Sequence, residues 1–255
     1  MLQAFLDGRL FGNARGEGAP LVVALHGWQR SSADFDAVLG TSSLSGDPFA
    51  GSVIPSLALD LPGFGVSPPP LHPWTTIEYA TALVPLLEQL DGPVVVLGHS
   101  FGGRVAIQLA AAAPAFVRGL VLTGVPIRDA KAPAARLNWK FRLIRRGAKL
   151  GLIGEERLES ARQRFGSRDY REAEGVMRGV LVQSLADDYL APLGRISAPV
   201  ELVWGETDTA APIAGAQAAL RVLRDAHLRV LPGIGHMVPL EAPEELRLAL
   251  GRWWH

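Results

Sequence analysis

The chain has 255 residues, 48% of them hydrophobic, which suits one large α/β domain or a domain carrying an insertion. Lysine and arginine total 25 against 25 aspartates and glutamates, so no net charge draws the protein toward nucleic acid or membranes. Cysteine is absent, which excludes disulfides, thiolate metal sites and a cysteine nucleophile.

Residues 3–12 read as a hairpin, with extended runs Gln3–Leu6 and Arg9–Phe11 around the turn dipeptide Asp7-Gly8. Leu21–Leu25 is a buried strand ending in His26-Gly27-Trp28, and Ser31-Ser32 is placed to cap a short helix from Ala33. A Ser/Gly/Pro loop over 41–52 leads to a second strand, Val53–Leu59, closed by Asp60-Leu61-Pro62-Gly63-Phe64-Gly65. Pro55 fits that strand only at its start or at a bulge. After a proline-rich loop, Thr75 or Thr76 can cap a helix whose apolar positions Ile77, Ala80, Leu83, Val84, Leu87 and Leu90 share one face, with Pro85 expected to bend it.

Val94–Leu97 is a short β-branched run, and Arg104–Ala112 is a helix rich in Ala and Leu. Between them lies Gly98-His99-Ser100-Phe101-Gly102, a G-x-S-x-G. A strand turning straight into a helix crowds its backbone, so the two glycines are a steric requirement, and the serine is forced into a strained conformation with its hydroxyl outward. The plain alternative is a glycine-rich turn with an incidental serine. Leu120–Thr123 is the next strand. Residues 126–197 hold no convincing core strand and are helical in composition. A strand within 198–206, a helix over 213–223, a strand over 228–231 and a helix over 243–253 complete the chain. The expected fold is α/β: a mostly parallel central sheet with helices on both faces, its core formed by 1–125 and 198–255, with 126–197 a helical insertion at the carboxyl edge, where such sheets bind ligands.

A serine hydroxyl needs a base within reach and a group to orient that base. His236 lies in a glycine-rich loop directly after a strand and is the candidate base. His99 is too close along the chain to fold back on Ser100, and His26 reads as a structural hydrogen-bonding residue. For the acid, Asp208 follows the strand ending in Trp204, and Glu206 is its competitor. Two backbone donors are needed for an oxyanion. Phe101, at the start of the helix, and Trp28, after Gly27, are the candidates.

Together HGW at 26–28, DLPGFGVS at 60–67, GHSFGG at 98–103, WGETD at 204–208 and GIGHMVPLEAPEEL at 233–246 resemble the α/β-hydrolase superfamily, in particular its lid-bearing serine esterase-like branch. The motifs run in the family's order over most of the chain except 126–197, which looks like the family's lid. The resemblance implies Ser100 as nucleophile, Asp208 as acid, His236 as base and Trp28 and Phe101 as oxyanion donors, with Asp60 and Gly63 in a supporting loop. It implies hydrolysis of carboxylic esters of small to medium hydrophobic substrates through an acyl-enzyme, with no metal or organic cofactor. Serine at position 100 sets the chain apart from relatives that open epoxides or displace halide with an aspartate. Carbon–carbon bond hydrolysis of ring-fission products, thioester hydrolysis and perhydrolysis would use the same triad. A receptor-like binding protein on the same fold is the non-enzymatic alternative.

Residues 128–149 carry eight basic side chains against Asp129, with Leu137, Phe141, Ile144 and Ala148 at helical spacing. The plain reading is a lid helix with its charges in water; a sharper one is contact with anionic lipid or an acidic substrate such as an acyl-CoA. Glu155, Glu156 and Glu159 argue against a dedicated membrane surface. The N-terminus lacks a signal-peptide pattern and no window matches a membrane span, so a cytoplasmic protein without stable membrane anchoring is expected. Oligomeric state has no signature in the sequence.

Overall fold

The computed structural model describes residues 1–43, 45–128 and 168–254, with positions 146, 148, 150, 152–154, 156, 157, 159 and 160 between them. Eight strands form one sheet: β1 (Leu2–Phe5), β2 (Leu10–Arg15), β3 (Val22–Leu25), β4 (Ser56–Asp60), β5 (Val94–His99), β6 (Val117–Thr123), β7 (Val200–Gly205) and β8 (Ala226–Leu231). Their order is β1-β2-β4-β3-β5-β6-β7-β8. The pairings of β1 with β2 and of β2 with β4 are antiparallel; the rest are parallel.

Successive side chains of the central strands alternate between two cores, as the period-2 geometry of a strand requires. Val23, Leu25, Val96, Leu122 and Trp204 join one cluster with α2 (Thr76–Leu87) and α3 (Phe101–Ala112). Val22, Ala24, Val95, Leu97, Val121 and Val203 join the other, with α1 (Asp36–Leu39) and, after β8, the helix Pro243–Leu250. Between β6 and β7 the described elements are helices alone: α4 (Arg168–Glu172), α5 (Gly175–Ala186) and α6 (Leu190–Leu193). Then come α7 (Ile213–Leu220) after β7, and α8 (Val238–Glu241) and α9 (Pro243–Leu250) after β8. The basic amphipathic stretch expected over 128–149 lies outside the described residues, apart from Arg128, Arg146 and Ala148. No described helix is long and apolar enough to cross a membrane.

Several local expectations shift. The hairpin loop is longer than the two-residue turn expected: Phe5 pairs with Leu10, so Leu6–Arg9 lie between the strands with Asp7-Gly8 at the centre, Leu6, Asp7 and Gly8 take positive φ (51°, 58° and 77°), and Gly8 and Arg9 N–H donate to the Phe5 and Leu6 carbonyls at 3.1 and 3.3 Å. Ser31 occupies the N-cap position of the 3₁₀ turn Ser32–Phe35, but its side chain caps nothing; the Ser32 hydroxyl instead accepts from Asn13 of β2 at 3.0 Å. Strand β4 starts after Pro55, whose carbonyl accepts from Leu21 at 2.8 Å. Thr75 caps α2 with a full capping box to Glu78, and the helix ends at Leu87, leaving Leu90 in the following turn. The final helix ends at Leu250 and tightens to 3₁₀ over Gly251–Trp253.

One buried ion pair ties α9 to the loop before β4. Arg247 Nε donates to Asp47 at 2.6 Å, and its remaining donors reach the carbonyls of Val38 (2.8 Å), Gly40 and Phe49 (3.2 Å). Burial pushes the Asp47 carboxyl up, but the Phe49 N–H, Arg247 and Ser42 outweigh it and hold it below the usual carboxylate range.

Candidate active site

The register of the parallel strands brings the ends of β3, β5, β6, β7 and β8 to one edge of the sheet. There β5 turns directly into α3. Ser100 sits between them at φ 50° and ψ −110°, a conformation costly for a residue with a Cβ. Backbone bonds hold it: Ser100 N–H donates to Thr123 at 3.0 Å, and Gly102 N–H donates to His26 at 2.9 Å. The crowding expected at the flanking glycines is present. A Cβ on Gly98 would lie 2.6 Å from Gly103 Cα, and one on Gly102 would overlap the Leu25 carbonyl oxygen.

His236 follows β8 in a turn clamped by Glu241. That carboxylate accepts from both Gly235 and Met237 amides at 2.9 Å, on either side of the histidine. His236 Nδ1 is 2.8 Å from Asp208 Oδ2, and the Asp208 side chain has no solvent exposure. The other Asp208 oxygen accepts from the Ala210 and Ala211 amides at 2.9 and 2.8 Å. A carboxylate held this way accepts the Nδ1 proton and leaves Nε2 as the basic nitrogen. Glu206 lies elsewhere, accepting from the Gly233 amide at 3.1 Å.

Ser100 Oγ makes no hydrogen bond to the imidazole among the described residues. Both residues instead border the Thr123–Gly124 corner: Ser100 through its amide, and His236 through its ring, which a Cβ on Gly124 would meet at 3.1 Å. Bonds between catalytic groups are commonly long until substrate is bound.

The Phe101 amide heads α3 and the Trp28 amide follows Gly27; among the described residues neither donates to a backbone carbonyl. The Trp28 indole stands edge-on to Phe64 and Phe101, with ring centroids 5.0 and 5.4 Å away. Trp28 also packs against Tyr170, Ala173 and Leu181.

The two histidines set aside as bases are both engaged with backbone groups. His26 donates from Nδ1 to Gly27 O at 2.7 Å and accepts the Leu61 amide on Nε2 at 3.0 Å, tying the end of β3 to the end of β4. Burial holds its pKa down. His99 is 1% exposed and donates from Nε2 to the His236 carbonyl at 3.0 Å. Asp60 accepts from Ser32 and Val66 amides at 2.7 and 3.0 Å, bracing the loop that carries Phe64. Glu241 and the strut from His99 escaped the sequence reading. A cavity of ≈ 270 Å³ among Leu21, Val95, Arg118 and Trp253 lies at the starts of β3, β5 and β6, away from these groups.

A family model described as the alpha/beta hydrolase family matches residues 22–249, which takes in every residue of this edge. The chain belongs to that family. A lipase of Mycobacterium tuberculosis, LipV, is 57% identical over 70 residues, a match spanning 27% of this chain and 26% of that lipase. A pimeloyl-acyl-carrier-protein methyl ester esterase of Aromatoleum aromaticum is 27% identical over 89% of this chain and 94% of its own length. Among solved structures, a hydrolase from Pseudomonas aeruginosa superposes with a TM-score of 0.70 at 22% identity, covering 100% of this chain and 97% of that one. That likeness is one of fold.

Proposed function

We propose that the protein is a serine hydrolase that cleaves carboxylic esters through an acyl-enzyme, with Ser100 as nucleophile, His236 as base and Asp208 as the acid that orients it. The observation that carries this reading is the 2.8 Å bond from His236 Nδ1 to a fully buried Asp208 carboxylate, at the sheet edge where Ser100 holds a positive φ. Ser100 Oγ attacks the acyl carbon as His236 Nε2 takes its proton. The oxyanion that forms accepts hydrogen bonds from the Phe101 and Trp28 amides. His236 then gives the proton to the departing alcohol, leaving the acyl group on Ser100. Water repeats the sequence and releases the acid. The reaction so written uses no metal or organic cofactor.

Residues 126–197 act as a cap. Support comes from Tyr170 of α4, Leu181 of α5 and Ala173 between these helices, which pack against Trp28. The apolar cluster of Trp28, Phe64 and Phe101 next to Ser100 suits a small to medium hydrophobic acyl or alcohol group. A panel of p-nitrophenyl esters of increasing chain length, run beside a ring-fission dienoate and an acyl thioester, tests the assignment. Turnover of short and medium esters is expected. Fast dienoate turnover with idle esters would transfer the triad to carbon–carbon bond hydrolysis.

A further inference from the structure

His99 lies between the two loops that the reaction needs. Its Nε2–H donates to the His236 carbonyl at 3.0 Å, and the two ring centroids lie 4.9 Å apart with their planes tilted by 51°. On its other side the ring fills the space that Gly27 leaves open: a Cβ there would sit 2.9 Å from His99 Nδ1 and 3.4 Å from Ser100 Cβ. The Nδ1 atom is buried with no hydrogen-bond partner. A buried polar atom left unpaired costs stability, so packing alone would favour an apolar ring here. What the histidine supplies that Phe or Leu would not is the single N–H aimed at residue 236.

We propose that His99 is a positioning residue for the base, a strut whose imidazole spans from the Gly27–Trp28 loop to the His236 loop and whose Nε2–H fixes the His236 main chain. The role rests on the reading of Ser100, Asp208 and His236 as a triad. Glu241 holds the amides before and after His236, Asp208 holds its ring, and His99 holds its carbonyl. The histidine loop is thereby fixed from three directions. Burial first, then the nearby His236, pushes the His99 pKa down to about 4. His99 therefore stays neutral when His236 takes the Ser100 proton in the proposed reaction, and two adjacent cations are avoided.

Two variants separate the strut from plain packing. His99→Leu keeps volume and loses the N–H; His99→Gln keeps an N–H donor. Each is assayed well below its own melting temperature, for p-nitrophenyl butyrate turnover and for the rate of Ser100 labelling by a fluorophosphonate. His99→Leu is expected to lower kcat and the labelling rate together by roughly tenfold or more with KM little changed, as displacement of a reacting group does. His99→Gln is expected to recover most of the loss. Wild-type kcat and labelling in His99→Leu, or equal losses in both variants, would overturn the role. A wild type that neither labels nor turns over ester would overturn the triad reading itself, and the strut with it.

Discussion

Asp208→Asn tests the acid with the least disturbance. The fixed oxygen is Oδ1, which accepts the Ala210 and Ala211 amides at 2.9 and 2.8 Å. An asparagine must put its carbonyl there, because the flipped rotamer would face an NH₂ against two N–H donors. Leaving both donors unpaired costs about 2–6 kcal/mol at 1–3 each. The NH₂ then faces His236 Nδ1, which has to accept, so the imidazole proton moves to Nε2. The base is lost although the fold is intact. A tautomer change of this kind in a serine triad lowers kcat about 10⁴-fold, equivalent to about 5 kcal/mol of barrier. Steady-state hydrolysis of p-nitrophenyl butyrate gives kcat, and thermal melting checks the fold. Glu206→Gln, made in parallel, should leave kcat unchanged because, among the described residues, the Glu206 side chain bonds the Gly233 amide alone. An Asp208→Asn enzyme that keeps more than a tenth of wild-type kcat would refute the reasoning.

Two further outcomes follow from the framework. Gly102→Ala drives a methyl into the Leu25 carbonyl oxygen, where backbone on both sides leaves no room to shift. Overpacking of about 3 kcal/mol should lower the melting temperature by roughly 6–12 °C; a change within 2 °C of wild type would contradict the crowding argument. Asp47→Ala strands the buried Arg247 guanidinium and should cost about 3–5 kcal/mol by urea denaturation at neutral pH. The folded Asp47 pKa lies below its ordinary value, so its contribution is fully present above that value and is lost as pH falls through the folded one. The gap between wild type and variant should therefore narrow on acidification, and a gap that stays constant down to about pH 2 would contradict this.

The sheet was readable because parallel strands buried on both faces must be short β-branched runs. Leu21–Leu25, Val94–Leu97 and Leu120–Thr123 each mark a central strand. The start of β6 was hidden because Arg118 and Gly119 break the apolar run; Gly119 is small because the Trp253 indole covers it. The glycines around Ser100 were legible for a steric reason that the backbone bears out. Of the two serines expected to cap, Ser31 makes no cap bond and Ser32 is engaged by Asn13, a partner distant in sequence that no local pattern encodes. Glu241 was invisible for a similar reason: its carboxylate serves two amides in a turn whose shape depends on the end of β8. Likewise, the use of Gly27 to admit the His99 ring exists only after β3 and β5 pair. Motif spacing thus names the candidate site residues, whereas the groups that hold them emerge only from tertiary structure.

Intact-mass analysis after incubation with a fluorophosphonate, followed by peptide mapping, tests the central claim most directly. One adduct is predicted on Ser100, absent in Ser100→Ala and slowed at least a hundredfold in His236→Ala. A folded protein that takes up no label, or is labelled at another residue, would contradict a serine nucleophile and favour a binding role for the fold.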